Sequence, residues 1–537
     1  MSPTSPLRRP EGIDLAWLAV FALVLVATAA HHELGLDEAQ AWNISRAARL
    51  PWDVVPLGRY DGHTPLWHLV LWPLALGGDP RWMQALGVAV GVLVAALLLR
   101  DRPVPRLACV LILFGFFVGY RYTLVPRTYV LTLLLSAVLA SAMFRGCRRF
   151  VPLAGLCGMI AFTGAFGALL SAALMALVIG ECLGHGAWRR VGRGRLAAGA
   201  LAYLVLAAAA TYFVVFPIPE RASFAVDVTG GERVGGIDPF RPVVHAVFPL
   251  ADRWPFGLGE RVKRPPSPEY YALAAAATIA VGSFAALLRG WRIGQLAWLV
   301  AASLLTLGCW FIGFAAERFM GCLVIAALVL VWVRPPPGAG SVAPARTSTL
   351  PALVVALALV YHAAIGLASV ALDLTKEISN SRSIADFVRD ELEEPYAILT
   401  AYAFDVGPVM AYLDRAVYDV NCECWQDHQP LVSAEESGET GPSRTREHVL
   451  WCALVAEGYE VVALFPDGRR PPDERHEVIG RFAPGDRTED EEVLMYRLID
   501  PSEACAGASG LKGRPAPGRA GGAQGHGTAV GSRPSQG

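Results

Sequence analysis

Lysine is nearly missing from this chain: Lys263, Lys376 and Lys512 are the only three in 537 residues. Charged residues of both signs make up 17%, against 54% apolar, and the mean hydropathy is +0.42. So few solvating side chains exclude a soluble protein of this length and imply a polytopic membrane protein. A basic stripe is also lacking, which excludes nucleic acid as a partner; the net charge of -1 averages loops with a separate polar region. No clean small-x-small cleavage site follows the apolar stretch from Ile13 to Ala30, where HHELGLDEAQ stands instead. That excludes a cleaved signal peptide, despite Arg8 and Arg9 ahead of the stretch, and makes it the first span. Charges are scarce inside the apolar runs, with His362 the main exception, which argues against a transport path through them.

A helix needs about 20 mostly apolar residues to cross a bilayer. About eleven stretches are candidates, at roughly 13–30, 82–99, 106–122, 128–144, 151–163, 166–183, 196–216, 270–288, 295–314, 320–333 and 350–371. The run from Val151 to Leu183 divides into two short crossings because Thr163, Gly164 and Gly167 sit midway. Arginines at 8–9, 100–106, 145–149, 189–195, 289–292, 334 and 346 all fall on one side of that path. By the excess of positive charge on cytoplasmic loops, the N-terminus is expected in the cytoplasm of a plasma-membrane protein. The loops 31–81 and 217–269, the turns near 123–127 and 315–319, and everything after the last span are then expected outside. The Pro- and Gly-rich loop 217–269 reads as an irregular lid.

The stretch from His31 to Trp72 is a polar and aromatic island beside the membrane, carrying Asp37, Glu38, Asp61 and His63. Ionisable groups near hydrocarbon are costly, so such a cluster reads as a functional site. Asp37 is expected to cap a helix starting at Glu38, with Gln40 as the reciprocal partner. Pro65 to Leu76 is too short to cross and is expected to lie along the interface. Each candidate has a plainer alternative. Asp37 can be a cap alone and Glu38 a charge favourable at a helix start. Arg127 and Arg318 can snorkel or pair, and His63 can be structural. Tyr129, Trp67 and Trp72 read as interfacial belt aromatics. A metal site built from His31, His32, Glu33 and Asp37 is disfavoured, because adjacent histidines on a helix point to different faces.

After the last span the composition changes. Helical periodicity in SRSIADFVRDEL, DVGPVMAYL and SRTREHVLWCALVAEGY alternates with strand patterns in YAILTA, AVYDV, EVVALF and EEVLMYRLI. This predicts an extracytoplasmic α/β domain over 372–505 with a largely parallel sheet, followed by a disordered tail at 506–537. Of ten cysteines, six fall in or beside spans as packing residues. Cys422, Cys424, Cys452 and Cys505 lie in the polar region, where at least one disulfide is expected if it is outside, with Cys422–Cys424 disfavoured by its short loop.

Three segments in this order, LGLDEAQAW, GHTPLWHLVLWPL and RYTLVPRTYVL, together with the eleven-span layout, resemble the GT-C membrane glycosyltransferases. The likeness is to the branch with protein O-mannosyltransferases and lipid A aminoarabinose transferase (glycosyltransferase 39-like), and it covers roughly residues 13–335. It implies a GT-C-like transmembrane domain over 1–371, with the catalytic loop at 31–81. It also implies a sugar transferred from a polyprenyl-phosphate donor, with inversion, to a lipid, glycan or protein acceptor at the extracytoplasmic face. The first segment supplies the acidic pair Asp37 and Glu38. The third supplies Arg121, Arg127 and Tyr129, with Pro126 and Arg127 where some members hold a second acidic residue. Glycosyl transfer needs a carboxylate to take the acceptor's proton and cations to hold the departing phosphate. Asp37 or Glu38 suits the first task and Arg127 and Arg318 the second, while His63 can bond donor or acceptor. The resemblance assigns no certain cofactor and leaves a divalent metal open. The reading from another class is a transporter or assembly subunit whose outer domain binds a partner.

Overall fold

The structure, a computed structural model, describes residues 11–58, 63–147, 149–183, 192–215, 240–249, 267–312, 317–334, 349–376, 379–400, 406–420, 424–427, 444–466, 476–482 and 493–505. Asp61, most of the loop 217–269 and the tail 506–537 lie outside the described residues. The membrane part comprises α1 (Gly12–His31), α2 (Leu36–Ala47), α3 (Leu66–Ala75), α4 (Arg81–Asp101), α5 (Arg106–Leu113), a π-helical turn (Phe116–Arg121), α6 (Thr128–Phe144), α7 (Phe150–Ala161), α8 (Ala165–Leu183) and α9 (Arg193–Val215). It continues with α10 (Arg241–Val247), α11 (Pro268–Leu287), α12 (Arg292–Ile312), α13 (Glu317–Val333) and α14 (Thr349–Thr375).

Among the described residues seven helices, α1, α4, α8, α9, α11, α12 and α14, are long and apolar enough to cross a membrane. The other expected spans are shorter or broken. α6 and α13 have 17 residues each and α7 has 12. The stretch 106–122 stops at Leu113 and resumes as the π-helical turn, where the wider backbone rotation re-aims its side chains. The predicted division of 151–183 is present: α7 and α8 meet at Gly164, whose φ of +148° a side chain rarely adopts.

Two features fix the turn that leads into α6. At Gly87 on α4 an added Cβ would lie 2.3 Å from the Thr123 carbonyl, so the turn seats directly on the α4 backbone. Thr128 donates to the Thr163 carbonyl and the Thr132 and Thr163 hydroxyls are 2.8 Å apart, tying the start of α6 to the α7–α8 break.

The C-terminal region contains α15 (Ser381–Glu391), β1 (Tyr396–Thr400), α16 (Gly407–Leu413), β2 (Val417–Asp419), β3 (Cys424–Gln426), α17 (Arg444–Ala456), β4 (Glu460–Pro466), β5 (His476–Phe482) and β6 (Val493–Leu498). The sheet order is β3-β2-β1-β4-β6-β5. Only β1 with β2 and β1 with β4 are parallel; the other three pairs are antiparallel, so the sheet is mixed rather than largely parallel. β3 and β5, which sequence patterning missed, supply two of the antiparallel pairs. Period-two alternation splits the sheet's side chains between two cores. Ile398, Val462 and Met495 pack with Val388 and Met410, and Leu399, Val461 and Tyr496 pack with Trp451 and Leu454. Cys452 and Cys505 form a disulfide with Cα atoms 5.3 Å apart.

Candidate functional site

α1 ends at His31, and the chain runs extended to Gly35, whose φ of -79° and ψ of 165° make it the N-cap of α2. The Gly35 N–H donates to Glu38 Oε2 at 2.9 Å. Glu38 at the third helical position therefore secures the helix start, and the expected cap by Asp37 with Gln40 is corrected. The reason is local: Gly35 takes the extended cap conformation, and the carboxylate three residues on reaches back to it. Asp37 falls in the first turn, and its carboxylate serves elsewhere.

Arg127, the N-cap residue of α6, and Arg318, in the first turn of α13, both donate to Asp37 Oδ2. The Arg318 Nη1 contact is 2.5 Å. These residues lie 90 and 281 positions from Asp37 in sequence, so three segments converge on one carboxylate. The arginine side chains are 16% and 19% exposed while Asp37 is 34% exposed, which leaves the carboxylate open to a ligand. Burial draws the Arg127 pKa down to about 10, against the pull of Asp37 and with a further push from Arg318 and Arg121. It stays charged at neutral pH. Arg121 thus contributes a third positive field, from the end of the π-helical turn. Guanidinium groups at the positive ends of two helices, facing one carboxylate, have further N–H groups to offer an added anion.

Aromatic rings hold this cluster in place. Arg318 lies over Phe319, 5.1 Å from the ring centroid, and its carbonyl accepts from the Tyr122 hydroxyl at 2.6 Å. Tyr129 stacks on Tyr122 at 5.3 Å and is only 6% exposed. Tyr129 and Trp67 are buried, which corrects their reading as belt aromatics: both sit inside the bundle. Trp72 is partly buried and donates from its indole to the Ala48 carbonyl at 2.9 Å. His63 is half-buried in the segment leading to α3, beside Thr64, whose hydroxyl donates to the Phe162 carbonyl.

The opposite side of α2 grips the C-terminal region. Asp37 and Arg46 are about 2.5 turns apart at 3.6 residues per turn, so they face in opposite directions. Arg46 donates to the Met410 carbonyl at 3.0 Å and to Asp414 at 3.1 Å, and Asn43 donates to the Gly407 carbonyl at 3.0 Å. The site helix is held between α6 and α13 on one side and α16 on the other.

The residues do not fit a divalent metal. Among the described residues no three His, Cys, Asp or Glu side chains group as ligands. Two guanidinium groups at Asp37 repel a cation, while His32 is engaged by Asp373 and Glu33 by the Ser379 N–H. Sequence reasoning missed Asp373, because the last helix runs past 371 to Thr375 and carries this carboxylate inside it, 1% exposed. A lone acid near the end of an apolar run was the available signal. No protein-family description, curated protein or solved structure matches the chain.

Proposed function

We propose that the chain is a GT-C-like membrane glycosyltransferase that moves a sugar from a polyprenyl-phosphate donor to an acceptor at the extracytoplasmic face. The observation that carries the reading is the one-third-exposed Asp37 carboxylate, held by Arg127 and Arg318 beside the field of Arg121. In the proposed step an acceptor hydroxyl attacks the anomeric carbon and passes its proton to Asp37. The bond from that carbon to the phosphate oxygen breaks, with inversion, and the polyprenyl phosphate leaves with its negative charge held by the arginines. Glu38 has a supporting part, since its buried carboxylate is committed to the start of α2. Inversion requires the acceptor hydroxyl and Asp37 on the face of the sugar opposite the leaving phosphate, so the phosphate is met by the arginine N–H groups that do not bond Asp37.

The two ends of the bundle support the proposed placement. The Asp37 cluster and the C-terminal α/β region share one end, and the disulfide Cys452–Cys505 suits an oxidising compartment. Arg100, Arg102, Arg106 and Arg145 gather at the other end, which we assign to the cytoplasm. The eleven-span count belongs to this proposal, with α5 and the π-helical turn together forming one crossing. A strain lacking the gene is expected to accumulate a lipid-linked sugar and lose one surface glycoconjugate. Unchanged lipid-linked and surface glycans would return the chain to the class of transporters and assembly subunits.

A further inference from the structure

A chain of buried polar groups at the base of α2 has no part in the step above. The Tyr120 hydroxyl donates to Asp373 Oδ1 at 3.0 Å, and Asp373 Oδ2 lies 2.9 Å from His32 Nδ1. His32 Nε2 is 3.5 Å from Glu38 Oε1, an ion-pair separation too long for a good hydrogen bond. Glu38 Oε2 is the atom that accepts the Gly35 N–H. All four side chains are at most 5% exposed, and they come from the π-helical turn, α14, the α1–α2 connection and α2.

Both ring nitrogens of His32 thus face carboxylate oxygens, which when ionised only accept. A neutral imidazole carries one N–H and serves one of them, whereas the imidazolium serves both and compensates two buried negative charges. The other groups around His32 act on its backbone or on its neighbours. Gln84 and Arg382 donate to its carbonyl at 2.7 and 3.3 Å, Arg382 lies over Tyr412, and Glu33 accepts the Ser379 N–H at 2.7 Å. Burial lowers the His32 pKa, and Glu38 and Asp373 outweigh it, raising it from 6.5 to about 9.

We propose that His32, held as an imidazolium between Asp373 and Glu38, is a positioning residue that locks the first turn of α2 and so sets Asp37 against Arg127 and Arg318. Its consequence for catalysis rests on the glycosyltransferase reading; its effect on α2 does not. Because the folded-state pKa is raised, the stabilisation is complete below about pH 6.5 and is lost as pH rises through about 9.

The test follows the thermal stability of the purified full chain with pH, wild type beside His32→Gln. Wild type is expected to lose stability as pH climbs from about 6.5 to about 9, while His32→Gln stays flat there. Donor kinetics at neutral pH should show kcat of His32→Gln down about ten- to a hundredfold with KM little changed, as misplacement of a reacting group does. Asp373→Asn keeps the contact to His32 but removes a charge, so its alkaline loss should be smaller and complete at lower pH; this variant carries the test if His32→Gln does not fold. Coincident pH profiles for wild type and His32→Gln, or an unmoved profile in Asp373→Asn, would overturn the charged His32, and equal kcat at matched stability would overturn its positioning role. A wild-type pH window without transfer from polyprenyl-phosphate sugars supports the lock on α2 and overturns the glycosyltransferase reading alone.

Discussion

Asp14 in the first turn of α1 and Asp37 in the first turn of α2 are both carboxylates held by two arginines. Asp14 pairs with Arg102 and Arg106 and is 1% exposed. Glu11 engages the same two arginines at 2.8 and 2.6 Å, so two negative groups meet two positive ones, and Asp14 also accepts the Glu11 N–H at 2.9 Å. There the charges are balanced and Asp14 itself is shut away from solvent. Asp37 faces Arg127 and Arg318 with Arg121 behind them, and a third of its side chain is open. Pairing alone therefore does not mark a functional carboxylate. What differs at Asp37 is access, which its proposed role as a base requires.

The largest stability effect we expect tests which end meets an oxidising compartment. Opening Cys452–Cys505, whose partners are 53 residues apart, should cost about 4 kcal/mol by loop entropy, read as a lower melting temperature for Cys452→Ser. Identical melting of variant and wild type would remove the disulfide's support for that placement. Next, Asp14→Asn leaves two arginines facing Glu11 alone and should cost about 3 kcal/mol, the low end for a broken buried pair because Arg106 is 31% exposed. Transfer per folded molecule should be unchanged, and a fall in it would erase the contrast between the two ends. Smaller still, Arg127→Ala should weaken donor binding by about 1.5–3 kcal/mol, the worth of a charge-assisted contact to phosphate. It is read as KM for a polyprenyl-phosphate sugar, and an unmoved KM would make Arg127 a counterpart of Arg102.

The contrast between the ends was half legible in the sequence. Hydropathy located the long helices, and the glycines at 164 and 167 marked the break between α7 and α8, because both signals are local. Asp37, Arg127 and Arg318 could each be singled out by position, but not their convergence, which depends on the Thr123 turn seating on Gly87 and on α13 packing beside α6. Gly35 and Glu38 have the spacing of the observed cap, but Asp37 satisfies the same residue preference two positions on, so sequence alone does not decide between them. Hydropathy is blind to the π-helical turn that carries Tyr120 and Arg121, because it reports composition and not the helical hydrogen-bond pattern. β3 has three residues, too few for a pattern, and β5 carries Glu477 and Arg481 on a partly exposed face.

The central claim, that Asp37 accepts a proton in glycosyl transfer, is tested most directly by turnover of a polyprenyl-phosphate-linked sugar by purified Asp37→Asn and wild-type protein. Asn keeps the size of the side chain, and Gly35 with Glu38 still secures α2, so the variant should fold. The account predicts turnover about a hundred- to ten-thousandfold below wild type, the usual cost of losing a general base. Turnover equal to wild type at matched stability would contradict it.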